Sequence, residues 1–146
     1  MSVKPLVILL AEDDDGHAEL IRLNLGRGRV INEIVRVVDG QEALDFVRSE
    51  GKYADRAKTP LIILLDINMP RLDGIETLRL LKTDPKTASI PVIMLTTTDD
   101  PRDIERCYQL GCNVYITKPV EYERFCAALK RLGIFLQFVA IPHEAE

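Results

Sequence analysis

Five short apolar runs separated by amphipathic stretches predict an α/β domain: a doubly wound, five-stranded parallel sheet in the order 2-1-3-4-5 with five helices. Three observations carry this prediction. Several of the runs are continuously apolar rather than alternating, as strands covered on both faces must be. The stretches between them open with helix-capping residues and then repeat apolar residues at helical spacing. The chain of 146 residues has the length of a single domain, and no composition shift divides it.

The elements follow in order. Residues 6–11 form the first apolar run, which ends in the acidic Glu12-Asp13-Asp14-Asp15. A helical stretch follows, in which Asp14 and Asp15 read as capping residues, and Gly26-Arg27-Gly28-Arg29 reads as the turn after it. The second run is 34–38, and Asp39 with Glu42 three residues later reads as a capping box. Residues 50–60 are polar and read as an exposed connection. The third run, 61–65, stops at Asp66, and Asp73 with Glu76 repeats the capping signal ahead of Ile75, Leu78 and Leu81. The fourth run, 91–95, stops at Thr96, and Asp100-Pro101 followed by Asp103 marks the next helix start. Residues 114–116 lead to Lys118-Pro119, and Phe125, Ala128, Leu129 and Leu132 give the last helix its apolar stripe. Five β-α units of this kind suit the flavodoxin-like order.

Composition removes several functional classes. With 19 basic and 23 acidic residues the formal charge is −4, so the clustered basic footprint of a nucleic-acid binder is absent. No apolar run approaches the roughly 18 residues of a membrane span. Lys4 and the run 6–11 resemble a signal peptide only faintly, because acids stand where a cleavage site belongs. Cys107, Cys112 and Cys126 are odd in number and form no C-x-x-C, which argues for core thiols in a reducing cytosol rather than disulfides or zinc.

The chemistry-bearing residues stand at strand ends. Glu12 and Asp13 follow strand one, Asp66 ends strand three, Thr96 ends strand four and Lys118 follows strand five. In this topology ligands bind outside the carboxyl ends of strands one and three, so these residues converge. Clustered carboxylates repel unless cations join them. Mg²⁺, or Mn²⁺ in its place, meets that need with Asp13 and Asp66 as direct ligands, Glu12 acting through water and the Asn68 carbonyl adding an oxygen. Asp66 beside a metal, an ammonium and a hydroxyl is a nucleophile for phosphoryl transfer. Plainer readings exist for the same residues: Asp13 as a cap, Thr96 as a strand residue, Lys118 as a solvated loop residue, Tyr115 as core filler. Asp66 resists such a reading, because an acid closing an apolar run before Met69-Pro70 does not look like a cap. His17 reads as a residue of the first helix with no phosphoryl or metal role.

At residues 5–132 the chain resembles the receiver domain of two-component response regulators. The resemblance rests on Leu9-Leu10-Ala11-Glu12-Asp13-Asp14, Leu64-Leu65-Asp66-Ile67-Asn68-Met69-Pro70, Asp73-Gly74, Met94-Leu95-Thr96-Thr97 and Tyr115-Ile116-Thr117-Lys118-Pro119. It implies that Asp66 accepts a phosphoryl group from a histidine kinase, with Glu12 and Asp13 at the metal. It also implies that Thr96 and Tyr115 form the conformational switch, that Lys118-Pro119 is a cis peptide, and that the chemistry is self-phosphorylation and self-dephosphorylation rather than turnover of an external substrate.

The expected organisation is a receiver over 1–132 and an apolar tail over 133–146, without an output domain. Ile134, Phe135 and Phe138 in that tail either pack back on the domain or form a self-association surface. The tail, the long connection before strand three and Leu95-Thr96-Thr97-Thr98 are similar to single-domain regulators paired with bacterial phytochromes. That likeness implies a bacteriophytochrome kinase as partner and a homodimer through the fourth and fifth helices and the tail. A flavin-binding protein of this fold is the competing class, but acids stand where an anion cradle is needed. A hydrolase with an Asp nucleophile lacks a second carboxylate at Asn68. A receiver fold used only for binding does not need the complete acid, Asp, Thr and Lys set.

Overall fold

In the computed structural model the described residues are 6–28, 30, 32–97 and 100–132. Five strands and five helices alternate: β1 (Val7–Ala11), α1 (Asp15–Arg27), β2 (Ile34–Val37), α2 (Gly40–Arg48), β3 (Leu61–Asp66), α3 (Gly74–Thr83), β4 (Val92–Thr96), α4 (Pro101–Gln109), β5 (Val114–Thr117) and α5 (Tyr122–Arg131). All pairings are parallel and the sheet order is β2-β1-β3-β4-β5. This is the flavodoxin-like fold the sequence predicts.

Successive side chains of a strand point to opposite faces, so each central strand feeds two cores. Ile8, Leu10, Ile62, Leu64, Ile93 and Leu95 pack against α1 and α5, where Ile21, Leu25, Phe125 and Leu129 meet them. Val7, Leu9, Ile63, Leu65 and Met94 pack on the other side against Leu44 and Phe46 of α2, Leu78 of α3 and Cys107 of α4. Burial on both faces is why β1, β3 and β4 read as unbroken apolar runs. Cys107 and Cys112 are buried thiols, and Cys126 is partly covered.

The caps fall where the sequence places them, with one difference. Asp14, Asp39 and Asp73 each accept the amide three residues on, at 2.8, 2.8 and 2.9 Å. Asp100 caps α4 through the Arg102 amide, with Pro101 as the first helical residue. The return arms of the two expected capping boxes go elsewhere. Glu42 accepts from the Val38 amide and the Tyr53 hydroxyl, and Glu76 pairs with Arg79. A long carboxylate side chain takes the stronger partner that tertiary packing brings.

Two loops differ from their sequence reading. Helix α1 runs through Gly26 and Arg27, so the turn there begins only at Gly28, whose amide closes on Leu25. The connection 50–60 holds a 3₁₀ turn, Gly51–Tyr53, and is tied down by Arg56 stacked 4.5 Å over the Phe46 ring and bonded to the Phe46 carbonyl. Among the described residues no helix is long and apolar enough to cross a membrane.

Candidate functional site

Because every strand runs the same way, Glu12, Asp66, Thr96 and Lys118 arrive at one edge of the sheet. The chain leaves β1 toward β2 on one side and leaves β3 toward β4 on the other, which opens a crevice between the ends of β1 and β3. Carboxylate oxygens of Glu12, Asp13 and Asp66 lie there within 4.8 Å of one another. Glu12 and Asp66 are buried, whereas Asp13 is exposed at the rim.

Lys118 enters this cluster from the loop after β5. Its ammonium sits 2.5 Å from Glu12 Oε1 and 3.3 Å from Asp66 Oδ2. From sequence its expected partners are Asp66 or a phosphoryl oxygen; in the fold the nearer partner is Glu12. Glu12 is the most enclosed acid of the set, so its charge is the costliest to leave unpaired. Burial, followed by the Glu12 carboxylate, pushes the Asp66 carboxyl up to about 6, while Lys118 pulls the other way. Three carboxylates face one ammonium, which leaves an excess of two negative charges when all are ionised. An all-oxygen set with that excess fits a hard divalent cation.

Neighbouring strands hold the acids in place. Arg36 on β2 donates from Nε to the Glu12 carbonyl (2.9 Å) and from Nη1 to the Asp15 carboxylate (2.6 Å). The second oxygen of Glu12 accepts the Asp14 amide at 3.1 Å. Below Asp66 the chain turns sharply into α3, and Gly74 donates its amide to the Ile67 carbonyl at 2.9 Å. A Cβ on Gly74 would stand 2.0 Å from the Asp66 carbonyl oxygen, so no larger residue fits that turn without moving the acid. The same loop carries Asn68, which is exposed, and Arg71, a non-glycine residue at φ +64°. Arg71 donates to the buried Asp39 at 2.8 Å, tying the loop to the start of α2. Burial works against the Asp39 charge, but Arg71 and the Glu42 amide together hold its carboxyl below the usual range.

The remaining predicted residues are placed as follows. Thr96 is fully buried at the end of β4, and its carbonyl accepts the Lys118 amide at 2.8 Å. Tyr115 is partly buried on β5, edge-on to Tyr108 with ring centres 6.1 Å apart. The Lys118–Pro119 peptide is cis. Ile134, Phe135 and Phe138 lie outside the described residues. Two residues to which the sequence reading gives no role at the site, Arg36 unremarked and His17 placed only on the first helix, stand beside it. Arg36 had a signal, a lone charge inside an apolar strand. His17 had none beyond its place one turn after the acids, yet its Nδ1 lies 3.2 Å from Lys118 Nζ.

Known proteins resemble this chain in sequence and fold. Response regulator Rcp1 of Synechocystis is 37% identical over 139 residues, covering 94% of each chain. Its Mn²⁺-bound structure superposes with a TM-score of 0.75 at 32% identity, covering 95% of this chain and all of that one. The bacteriophytochrome response regulator AtBRR gives a TM-score of 0.85 at 36% identity over 99% of this chain and all of its own. The phosphorylated cyanobacterial phytochrome response regulator RcpA gives 0.76 at 36% identity, covering 97% of this chain and 100% of that chain. The family model described as the response regulator receiver domain matches residues 8–130, which hold Glu12, Asp13, Asp66, Thr96 and Lys118, and the chain therefore belongs to the response regulator receiver domain family.

Proposed function

We propose that this protein is a phosphoacceptor of a two-component relay, in which Asp66 takes a phosphoryl group from a histidine kinase and later loses it to water. One observation carries the reading: Asp66 closes β3 buried beside Glu12 and 3.3 Å from the Lys118 ammonium, with the exposed Asp13 at the rim of the same cluster. An Asp66 oxygen attacks phosphorus in line, the bond to the kinase imidazole nitrogen breaks, and an acyl phosphate results. Lys118 stabilises the charge on the transferred oxygens, and Thr96 supplies a hydroxyl at the end of the adjacent strand. Asp13, Asp66 and the Asn68 carbonyl would hold Mg²⁺ or Mn²⁺, with Glu12 acting through water. Both Glu12 oxygens are already engaged by Lys118 and the Asp14 amide, which supports that indirect role. The metal, when bound, neutralises phosphoryl charge; the Mn²⁺-bound form of Rcp1 supports such a site.

The output is a conformational bias rather than a released product. Thr96 and Tyr115 are the switch, and the α4 face follows them. The kinase is a bacteriophytochrome, a pairing supported by the likeness to AtBRR and RcpA. The receiver spans 1–132, and the segment 133–146, with Ile134, Phe135 and Phe138, serves a homodimer together with α4 and α5. The message passes by protein contact, without direct nucleic-acid binding or a membrane segment. Incubation with acetyl phosphate and Mg²⁺ should raise the intact mass by one phosphoryl group, and Asp66→Asn should abolish the gain. A wild-type protein that stays unmodified sinks the reading. For the dimer, a clean monomer in the ultracentrifuge at tens of micromolar, with and without phosphoryl mimic, refutes the proposed self-association.

A further inference from the structure

An ammonium has three protons to donate and no acceptor capacity. Among the described residues, Lys118 Nζ faces three acceptors: Glu12 Oε1 at 2.5 Å, Asp66 Oδ2 at 3.3 Å and His17 Nδ1 at 3.2 Å. Since the lysine can only donate, Nδ1 accepts, and the imidazole proton resides on Nε2. His17 is placed by the α1 cap, where its own amide donates to Asp14 Oδ1 at 2.8 Å.

The three acceptors are not equivalent. The Glu12 and Asp66 side chains are 0% and 6% exposed and charged, whereas the His17 side chain is 47% exposed. Turning the imidazole outward returns it to water, while withdrawing Lys118 from either acid would strand a buried charge. There is also room for the ring to turn. His17 borders a groove of about 380 Å³ with Leu20, Thr97 and Pro119 along its sides. A phosphoryl group on Asp66 needs a donor from this lysine, and the acceptor given up at least cost is His17.

We infer that His17 is a positioning residue, the exchangeable third acceptor of Lys118: it accepts one N–H of the ammonium in the unphosphorylated protein and gives up that hydrogen bond to the phosphoryl group. The inference rests on the phosphoacceptor reading of Asp66. It gives the first turn of α1 a direct link to the state of the site. A competing acceptor resists phosphorylation by the strength of one net hydrogen bond, worth about two- to tenfold in rate.

The test uses nitrogen-15 imidazole spectra of the full chain, which has two histidines, His17 and His143. The unphosphorylated protein should show His17 as the Nε2–H tautomer with Nδ1 hydrogen-bonded. Beryllofluoride with Mg²⁺ should shift Nδ1 toward its free value, and Lys118→Met should do the same without either. In parallel, His17→Ala should be phosphorylated by acetyl phosphate about two- to tenfold faster than wild type, with His17→Gln, which keeps an acceptor, returning toward wild type. An Nδ1 resonance unmoved by beryllofluoride and by Lys118→Met overturns the inference, as does an alanine variant with the wild-type rate. Failure of wild-type phosphorylation would instead count against the phosphoacceptor reading, and the Lys118→Met spectrum would still decide the resting contact.

Discussion

Glu12 and Asp14 are two residues apart, yet they belong to regions with opposite electrostatics. Asp14, like Asp73 and Asp100, starts a helix, where free amides point at its carboxylate and water surrounds it. The His17 amide chiefly holds the Asp14 carboxyl below its usual value, and Arg102 does the same for Asp100. Glu12 and Asp66 share a buried crevice, and there burial and the Glu12 charge push Asp66 up to about 6. Acids of the first kind stabilise the fold. Those of the second kind oppose it, a cost that a bound cation would offset. The comparison separates acids held in water by amide donors from acids held against burial in the crevice, though each stands next to a strand or helix end.

Removing Lys118 should produce the largest effect. Lys118→Met leaves two enclosed carboxylates unpaired and should cost about 3–5 kcal/mol in urea unfolding of the metal-free protein. Millimolar Mg²⁺ should recover part of that loss; no recovery would mean that the acids do not form a cation site. Next comes Gly74→Ala, which drives a methyl into the Asp66 carbonyl and should cost roughly 1–3 kcal/mol. It should also weaken metal binding by calorimetry, because Asp66 must shift to make room.

Asp66→Asn goes the other way, raising the metal-free melting temperature by a few degrees at neutral pH, on the order of 1 kcal/mol. Its pH dependence has a definite sign. The folded Asp66 carboxyl lies above its ordinary 3.8, so the folded state holds the extra proton and stability falls as pH rises from there to about 6. The Asn variant should lose that fall. The Asp14 and Asp100 carboxyls are lowered, so their contribution is present above the ordinary carboxylate range and disappears on acidification. The smallest change is Asp73→Ala, which removes one cap for about 1 kcal/mol and leaves Mg²⁺ affinity unaltered. If it altered affinity, the division between the two sets of acids would break down.

Much of this was legible before folding. The continuous apolar runs named β1, β3 and β4, and the four capping aspartates named the starts of α1 through α4, because both signals are local. The crevice acids were legible because parallel strands deliver their carboxyl ends to one edge, so position after a strand was sufficient. Where the reading fell short, the deciding contacts were non-local. Glu42 and Glu76 took partners other than the box geometry expects, and the 50–60 connection gained a turn from stacking on Phe46.

By itself, then, the sequence determined the order of the elements, the sheet topology and which side chains reach its carboxyl edge. Only the tertiary structure decided how those side chains share their charges. Lys118 sits nearer to Glu12, 106 positions away, than to Asp66; Arg36 crosses from β2 to hold the acidic loop; and His17 Nδ1 lies within hydrogen-bond distance of the ammonium. Local patterns record how much water each residue tolerates. Pairing among a few buried charges depends on distances of an ångström, which are set when the strands pack.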